Sequence, residues 1–325
     1  MDSFRDHLQF LKQKATQARI DVLETIHRAE GGHPGSSLSM IDLLVGLYYG
    51  KIQGLPIMQY DARKPGSQDQ DYFVLSKGHA APAWYAVLAD LGFFDKAELD
   101  HFRQANSMLQ AHPSKKIPGV PLSAGSLGHG FSSAIGLAMA LKAERATNRV
   151  FVLLGDGELQ EGQIWEAALT AAHYRLDNVV LIIDANGLQL DGTLRSVMNV
   201  EPIADKFEAF GWKTIPVRDG HDFEEILAGF EKAFDVKRKP TAIIARTVKG
   251  KGISFMENKA SYHGVALSDQ EMAEAIPMLK AELAGLRMGV GAGSGVGAGA
   301  RAGANLGSGV RNRTVAGSFG SKIPY

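Results

Sequence analysis

The stretch VFVLLGDGELQEGQIWEAA, residues 150–168, sets Asp156 between two glycines at the point where a continuous apolar run gives way to a helical pattern. VFVLLG reads as a buried strand, since apolar β-prone residues without polar alternation need cover on both faces. Taken alone, Asp-Gly after a strand is a common turn, because glycine tolerates positive φ and aspartate bonds its own backbone. A dinucleotide fingerprint fails, because Gln160 stands where its third glycine belongs. A Walker-type phosphate loop fails as well: VKGKGIS (248–254) has no hydroxyl residue after its Gly-Lys. The next strand candidate, NVVLIIDANGLQLDG (178–192), brings Asn186 thirty residues behind Asp156. In a strand–helix–strand unit the two residues fall at the same edge of neighbouring strands. A carboxylate, a side-chain amide and a backbone carbonyl from the Asn186 loop form a hard oxygen set suited to Mg²⁺ or Ca²⁺, with positions left open for phosphate oxygens. The helical pattern 162–175 begins just beyond Gly157, so its N-terminal amides are expected to face the same diphosphate.

Working outward, strand and helix patterns alternate. DYFVLS (71–76), 150–155, 178–185, 212–217 and 240–248 read as strands, and 162–175, 203–210 and 222–236 as helices. This alternation predicts an α/β protein whose mostly parallel sheet carries helices on both faces, with ligands at the carboxyl ends of the strands. Residues 4–29 carry apolar positions at helical spacing and stop at Gly31-Gly32. The turn GGHPGSS (31–37) feeds a second apolar helix, and KGHAAPAWYAVLADLG (77–92) reads as a third. From Gly289 onward the chain is rich in glycine, with four basic residues and no acidic one, so a packed core is not expected there. We therefore expect one domain over residues 1–287 and a flexible tail over 288–325.

With 45% hydrophobic residues, the 325-residue chain can bury a substantial core. Thirty-five basic residues balance thirty-five acidic ones, which argues against a general attraction to nucleic acid or anionic membranes. There is no cysteine, so disulfides and thiolate metal sites are excluded. That absence, the lack of a signal-peptide pattern in MDSFRDHLQFLKQK and the lack of a long apolar run point to a cytoplasmic protein.

GDG followed by Asn186 is the thiamine-diphosphate motif, and its flanks resemble transketolase. GGHPGSS, VLSKGHAAPAWYAVLADLGFF (74–94), HPSKKIPGVPLSAGSLGHGFSSAIGLAMA (112–140) and KGKGISFMENKASYHG (249–264) match that family in the same order, over roughly residues 10–285. The resemblance implies a thiamine-diphosphate-binding fold and thiamine diphosphate with Mg²⁺, or Ca²⁺, as cofactors. It assigns the metal to Asp156, Asn186 and the Leu188 carbonyl, and the diphosphate to the Gly157 backbone. His79 and His263 correspond to histidines at the diphosphate and the substrate channel. His33 and His112 correspond to histidines on the sugar hydroxyls near the reacting carbon, so His33, His112 and His263 are the candidate catalytic residues. Gly125 and Leu127 match the loop against the cofactor rings, Leu190 a hydrophobic wall beneath them, and Glu161 an acidic residue at a subunit interface. His129 either contacts the diphosphate or caps the following helix. His7, His27, His101, His173 and His221 stand outside any motif and read as structural or solvated.

In this family the glutamate that activates the cofactor's pyrimidine lies in a domain that follows this one. The expectation is therefore an N-terminal subunit of a split transketolase, moving a two-carbon ketol unit between sugar phosphates. Its partner would be a C-terminal subunit carrying the pyrimidine-binding domain, in an α2β2 assembly. One component of a thiamine-dependent 2-oxo acid dehydrogenase or decarboxylase would share GDG and Asn, but not GHPG, SKGHA and GSLGHG. A non-catalytic scaffold would need none of these residues.

Overall fold

The computed structural model describes residues 2–288. Helix α1 (Asp2–Arg28) leads through the Gly31-Gly32 turn into α2 (Pro34–Tyr49), and a short hairpin of β1 (Lys51–Ile52) and β2 (Leu55–Pro56) follows. The central sheet comprises β3 (Tyr72–Leu75), β4 (Val150–Gly155), β5 (Val179–Ala185), β8 (Lys213–Val217) and β9 (Thr241–Arg246). Its spatial order is β3-β4-β5-β9-β8, and every neighbouring pair is parallel. Between β5 and β8 the chain forms the hairpin β6 (Leu188–Gln189) and β7 (Gly192–Thr193), followed by the single turn α6 (Leu194–Val197).

The apolar runs of β4 and β5 are buried at every position, and successive side chains enter two separate cores. Phe151, Leu153, Val180 and Ile182 point into one, packed by α1, α2, α3 (Ala81–Asp90), α8 (Phe223–Asp235) and α9 (Asp269–Met288). Val150, Val152, Leu154, Leu181 and Ile183 point into the other, packed by α4 (His129–Ala143), α5 (Gly162–His173) and α7 (Ile203–Ala209). The period of two that underlies every strand is therefore present, but masked because both faces are covered. Each of these large apolar side chains contributes about 1.5–3 kcal/mol on burial, so the strands are the rigid base on which their carboxyl-end loops stand.

Strands and intervening helices fall within a few residues of the sequence expectation. Helix α9 does not come from that reading, and α4 enters it only as the helix that follows His129. Helix α4 follows the GSLGHG segment, its N-cap Gly128 holding φ at 81°. Helix α9 buries only Ala275, Leu279 and Leu283 and contains Pro277, which leaves a thin apolar signal. It is pinned to α1 by polar contacts, Gln13 Nε2 to the Leu286 carbonyl at 3.0 Å and Thr16 Oγ1 to Glu282 at 3.1 Å. A further correction concerns Gly157. A 3-10 turn, Gly157–Gln160, separates it from α5, so the amides beside Asp156 belong to that turn and not to the α-helix. The glycine-rich tail expected at 288–325 lies outside the described residues beyond Met288.

Candidate active site

The loops that leave β3, β4, β5 and β9 converge at the carboxyl edge of the sheet. Gly155 lies opposite Asp184 in the β4–β5 register, and the Asp156 amide donates to the Asp184 carbonyl at 3.2 Å. The spacing of thirty residues thus translates into two loops in hydrogen-bonding contact. Asp156 is 2% exposed. Its carboxylate accepts from the Gly157 amide at 2.8 Å and from the Gly187 amide at 2.5 Å, so both loops are tied to one side chain. Asn186 accepts from the Leu188 amide at 3.1 Å, and its Nδ2 donates to Asp184 at 3.4 Å, which turns its Oδ1 away from the buried carboxylate.

Burial pushes the Asp156 carboxyl up to about 7, and neighbouring Asp184 adds to the rise against the pull of the two amides. A buried carboxylate this costly to ionise suits a dication, which would stabilise its charged form. Among the described residues, no group of three or more His, Cys, Asp or Glu side chains is arranged to hold a metal ion. Amide and carbonyl oxygens must therefore complete any metal set here, and the Asn186 and Leu188 oxygens that follow Asp156 across the register are of that kind.

Three motif histidines meet beside this edge. The rings of His33 and His79 are 4.9 Å apart between centroids, those of His33 and His263 5.4 Å, and those of His79 and His263 5.5 Å. Local sequence explains how they are presented. His33 is the N-cap of α2 and makes no side-chain cap bond, and Pro34 stands at the first helical position. Its ring is free to turn into the cluster. His79 rides the 3-10 turn after β3, and His263 follows the 3-10 turn 260–262, which packs so closely on α2 that a Cβ at Gly35 would meet the Tyr262 carbonyl at 2.8 Å. His112 approaches from its loop: a Cβ at Gly78 would lie 3.3 Å from the His112 ring.

All four histidines are biased toward the neutral imidazole. Burial, then His112, Lys249 and Arg103, bring His33 down to about 4, while burial followed by Lys249 brings His263 down to about 3. His79 lies well below its ordinary value through burial and Lys77, and His112 is lowered by burial and Arg103. Lys249 Nζ is 2.8 Å from His263 Nδ1 and 3.3 Å from the Leu188 carbonyl, linking the histidine cluster to the Asn186 loop. With Lys249 as donor, His263 Nδ1 is the acceptor and Nε2 keeps the ring proton.

Beneath the site lies a buried charge network that sequence reading missed. Lys77, 2% exposed, pairs with Asp184, which is fully buried and also accepts from Ser39 Oγ at 2.5 Å and from Thr247 Oγ1. Glu158 is buried too, and its carboxylate accepts from Ser76 Oγ at 2.6 Å and from the amides of Gly128 and Gly155 at 2.7 and 3.2 Å. It thereby joins the start of α4 to the ends of β3 and β4. The available signal was a charge directly abutting an apolar run, Lys77 after DYFVLS and Asp184 inside NVVLIIDA. His221, read as structural, is so placed. Its Nε2 accepts from the Val248 amide at 2.8 Å, leaving Nδ1–H for Asp42 at 2.7 Å, and Asp42 pairs with Arg19 at 2.5 Å. His27 likewise sits 2.8 Å from the Leu267 carbonyl.

The remaining candidates lie on a more open surface. Gly125, Glu161 and His129 are exposed, and Leu190 is 62% exposed. His129 is the first residue of α4, its amide bonded to the Ser126 carbonyl. In the loop expected to lie against the cofactor rings, the Leu127 carbonyl accepts from Gln163 Nε2 at 3.0 Å.

Residues 11–282 match the family described as transketolase, thiamine diphosphate binding domain. The chain belongs to the transketolase family. It is 38% identical over 273 residues to a 6-deoxy-6-sulfo-D-fructose transketolase subunit of Clostridium sp. (strain MSTE9), covering 84% of this chain and 97% of that one. It is 37% identical over 285 residues to an apulose-4-phosphate transketolase subunit of Phocaeicola vulgatus, covering 86% and 99%. Human transketolase is 42% identical over 270 residues, 83% of this chain but 42% of the human one. Among solved structures, the transketolase of Campylobacter jejuni superposes with a TM-score of 0.76 at 29% identity, covering 87% of this chain and 49% of that one. The chain thus spans about half the length of the solved transketolases it matches.

Proposed function

We propose that the chain is the N-terminal subunit of a two-chain, thiamine-diphosphate- and Mg²⁺-dependent transketolase. The observation that carries this reading is the meeting, at one sheet edge, of the Asp156–Asn186–Leu188 oxygen set with His33, His79 and His263. The near-complete coverage of relatives named as transketolase subunits supports the two-chain form. We further propose a C-terminal partner carrying the pyrimidine-binding domain, an α2β2 assembly, and a cytoplasmic setting suited to a chain without cysteine.

Asp156, Asn186 and the Leu188 carbonyl would hold the metal, and the Gly157 backbone would lie against the diphosphate. Once bound, thiamine diphosphate supplies the carbon centre that accepts the two-carbon unit. The chain's own residues do the rest of the work on this side. His33 and His112, neutral, hydrogen-bond the sugar hydroxyls. His263 offers its Nε2 proton to an oxygen that gains negative charge, with Lys249 fixing the ring. Gly125, Leu127 and Leu190 would face the cofactor rings, and Glu161 the subunit interface.

Reconstitution tests the proposal. The chain is expected to transfer a ketol unit from a ketose phosphate to an aldose phosphate only with a second polypeptide, cofactor and Mg²⁺ present. Full activity of the chain alone, or turnover by the pair of a 2-oxo acid and not a ketose, would contradict it.

A further inference from the structure

Asp42 is the only charged residue in α2, whose residues 34–48 are all buried, and none of the roles assigned above uses it. One carboxylate oxygen, Oδ2, takes two partners, His221 Nδ1 at 2.7 Å and Arg19 Nη2 at 2.5 Å. The three side chains are at most 8% exposed. Each partner reaches onward to the same short stretch of backbone. His221 Nε2 accepts from the Val248 amide at 2.8 Å, and Arg19 Nε donates to the Lys251 carbonyl at 3.1 Å. The two grips therefore flank Lys249, the residue that meets His263 Nδ1. Gly252 makes room for one of them, since a Cβ there would lie 2.8 Å from Arg19 Cδ. Between the grips, the Gly250 amide donates to the Gly35 carbonyl at 3.1 Å, in the first turn of α2.

Stability alone does not account for this arrangement. Desolvating a buried carboxylate and its arginine costs about as much as their attraction returns, so apolar side chains of similar volume would often serve the core as well. Apolar side chains cannot, however, aim two hydrogen bonds at chosen backbone atoms. A lysine ammonium rides on a flexible four-carbon stem, so its direction depends on where its backbone is held. The helix that carries Asp42 also begins at His33, whose ring stands 5.4 Å from that of His263. We propose that Asp42, acting through His221 and Arg19, is a positioning residue that holds Lys249 against His263 Nδ1 and so fixes the tautomer in which His263 carries its proton on Nε2. The proposal rests on the transketolase reading only for the use made of that proton.

Side-chain ¹⁵N NMR of the full chain reads the His263 tautomer directly, with its signals assigned by their loss in His263→Gln. The wild-type ring is expected to show the neutral Nε2–H pattern. His221→Asn keeps a donor for Asp42 but is too short to accept from the Val248 amide, and it should move His263 toward a mixture of the two tautomers. In the reconstituted two-chain enzyme the same variant should lower kcat roughly 10-fold, while KM for the ketose donor changes by less than about threefold. His221→Gln, whose amide oxygen reaches the place of Nε2, should restore the wild-type tautomer and bring kcat back to within about threefold. Arg19→Lys keeps the charge beside Asp42 but gives up the donor to the Lys251 carbonyl. It should repeat the tautomer change, and it carries the test alone if His221→Asn does not fold. A wild-type His263 protonated on Nδ1, an unchanged tautomer in the folded variants, or equal losses in His221→Asn and His221→Gln would overturn the proposal, since the network would then serve stability alone. A wild-type pair with no ketol transfer would instead overturn the functional reading and leave the tautomer result standing.

Discussion

The two ends of the candidate cofactor groove are built differently. At the diphosphate end, Asp156, Asp184, Glu158 and Lys77 are buried, and each carboxylate is held by two or more hydrogen bonds or by an ammonium. At the end expected to meet the rings, Gly125 and Leu190 are exposed, and the Leu127 carbonyl is satisfied by Gln163. One end is preorganised within a single chain, and the other presents surface. A site that holds a charged group must fix its donors beforehand, because reorganising buried charges costs more than the contact returns. A hydrophobic wall can wait for its partner.

The comparison breaks most visibly if the buried charge network is opened. Lys77→Met leaves Asp184 without its ammonium and is expected to destabilise the chain by about 3–5 kcal/mol, measured by urea denaturation. Pairing it with Asp184→Asn should restore much of that loss. A smaller effect should separate binding from folding at the same end. Asp156→Asn removes the charge but keeps the shape, and is expected to weaken Mg²⁺-dependent cofactor binding by roughly 100-fold in calorimetry, equivalent to about 2.7 kcal/mol. Asparagine keeps one acceptor for the Gly157 and Gly187 amides where the carboxylate offers two, so the cofactor-free protein should lose about 1–3 kcal/mol, offset in part by removal of a charge that burial disfavours.

The histidine cluster gives the next effect. His33 is depressed to about 4 and His79 also lies below its ordinary value, so the unfolded chain binds more protons than the folded one below pH 6.5. The stability these neutral rings contribute is complete above about pH 6.5, and it declines as pH falls toward 4. Replacing His33 with Asn should flatten that decline in pH-dependent denaturation curves. The smallest effect belongs to the open end: Leu190→Ser should alter the stability of the chain by less than about 0.5 kcal/mol, while weakening association with the second subunit in sedimentation.

Much of this arrangement was legible in the chain. The carboxyl-edge placement of Asp156 and Asn186 followed from two apolar strands and the helix between them, because parallel neighbours bring their following loops together. The meeting of His33, His79 and His263 was legible only through motif resemblance, since 46 residues separate the first two and another 184 the third, and no periodicity links them. The Lys77–Asp184 pair, 107 residues apart, was not legible, because a charge beside an apolar run does not reveal whether it is buried or what meets it. Helix α4 begins at a left-handed glycine and α9 buries a narrow stripe interrupted by Pro277, so neither had a strong helical signature.

That this chain grips the cofactor by its diphosphate alone is tested most directly by calorimetric titration of the isolated chain, in excess Mg²⁺, with thiamine diphosphate and with inorganic pyrophosphate. The two are expected to bind within about tenfold of each other, with the preference for thiamine diphosphate emerging only when the second subunit is added. A preference of roughly 100-fold or more for thiamine diphosphate in the isolated chain would contradict this, because the rings would then be held without a partner.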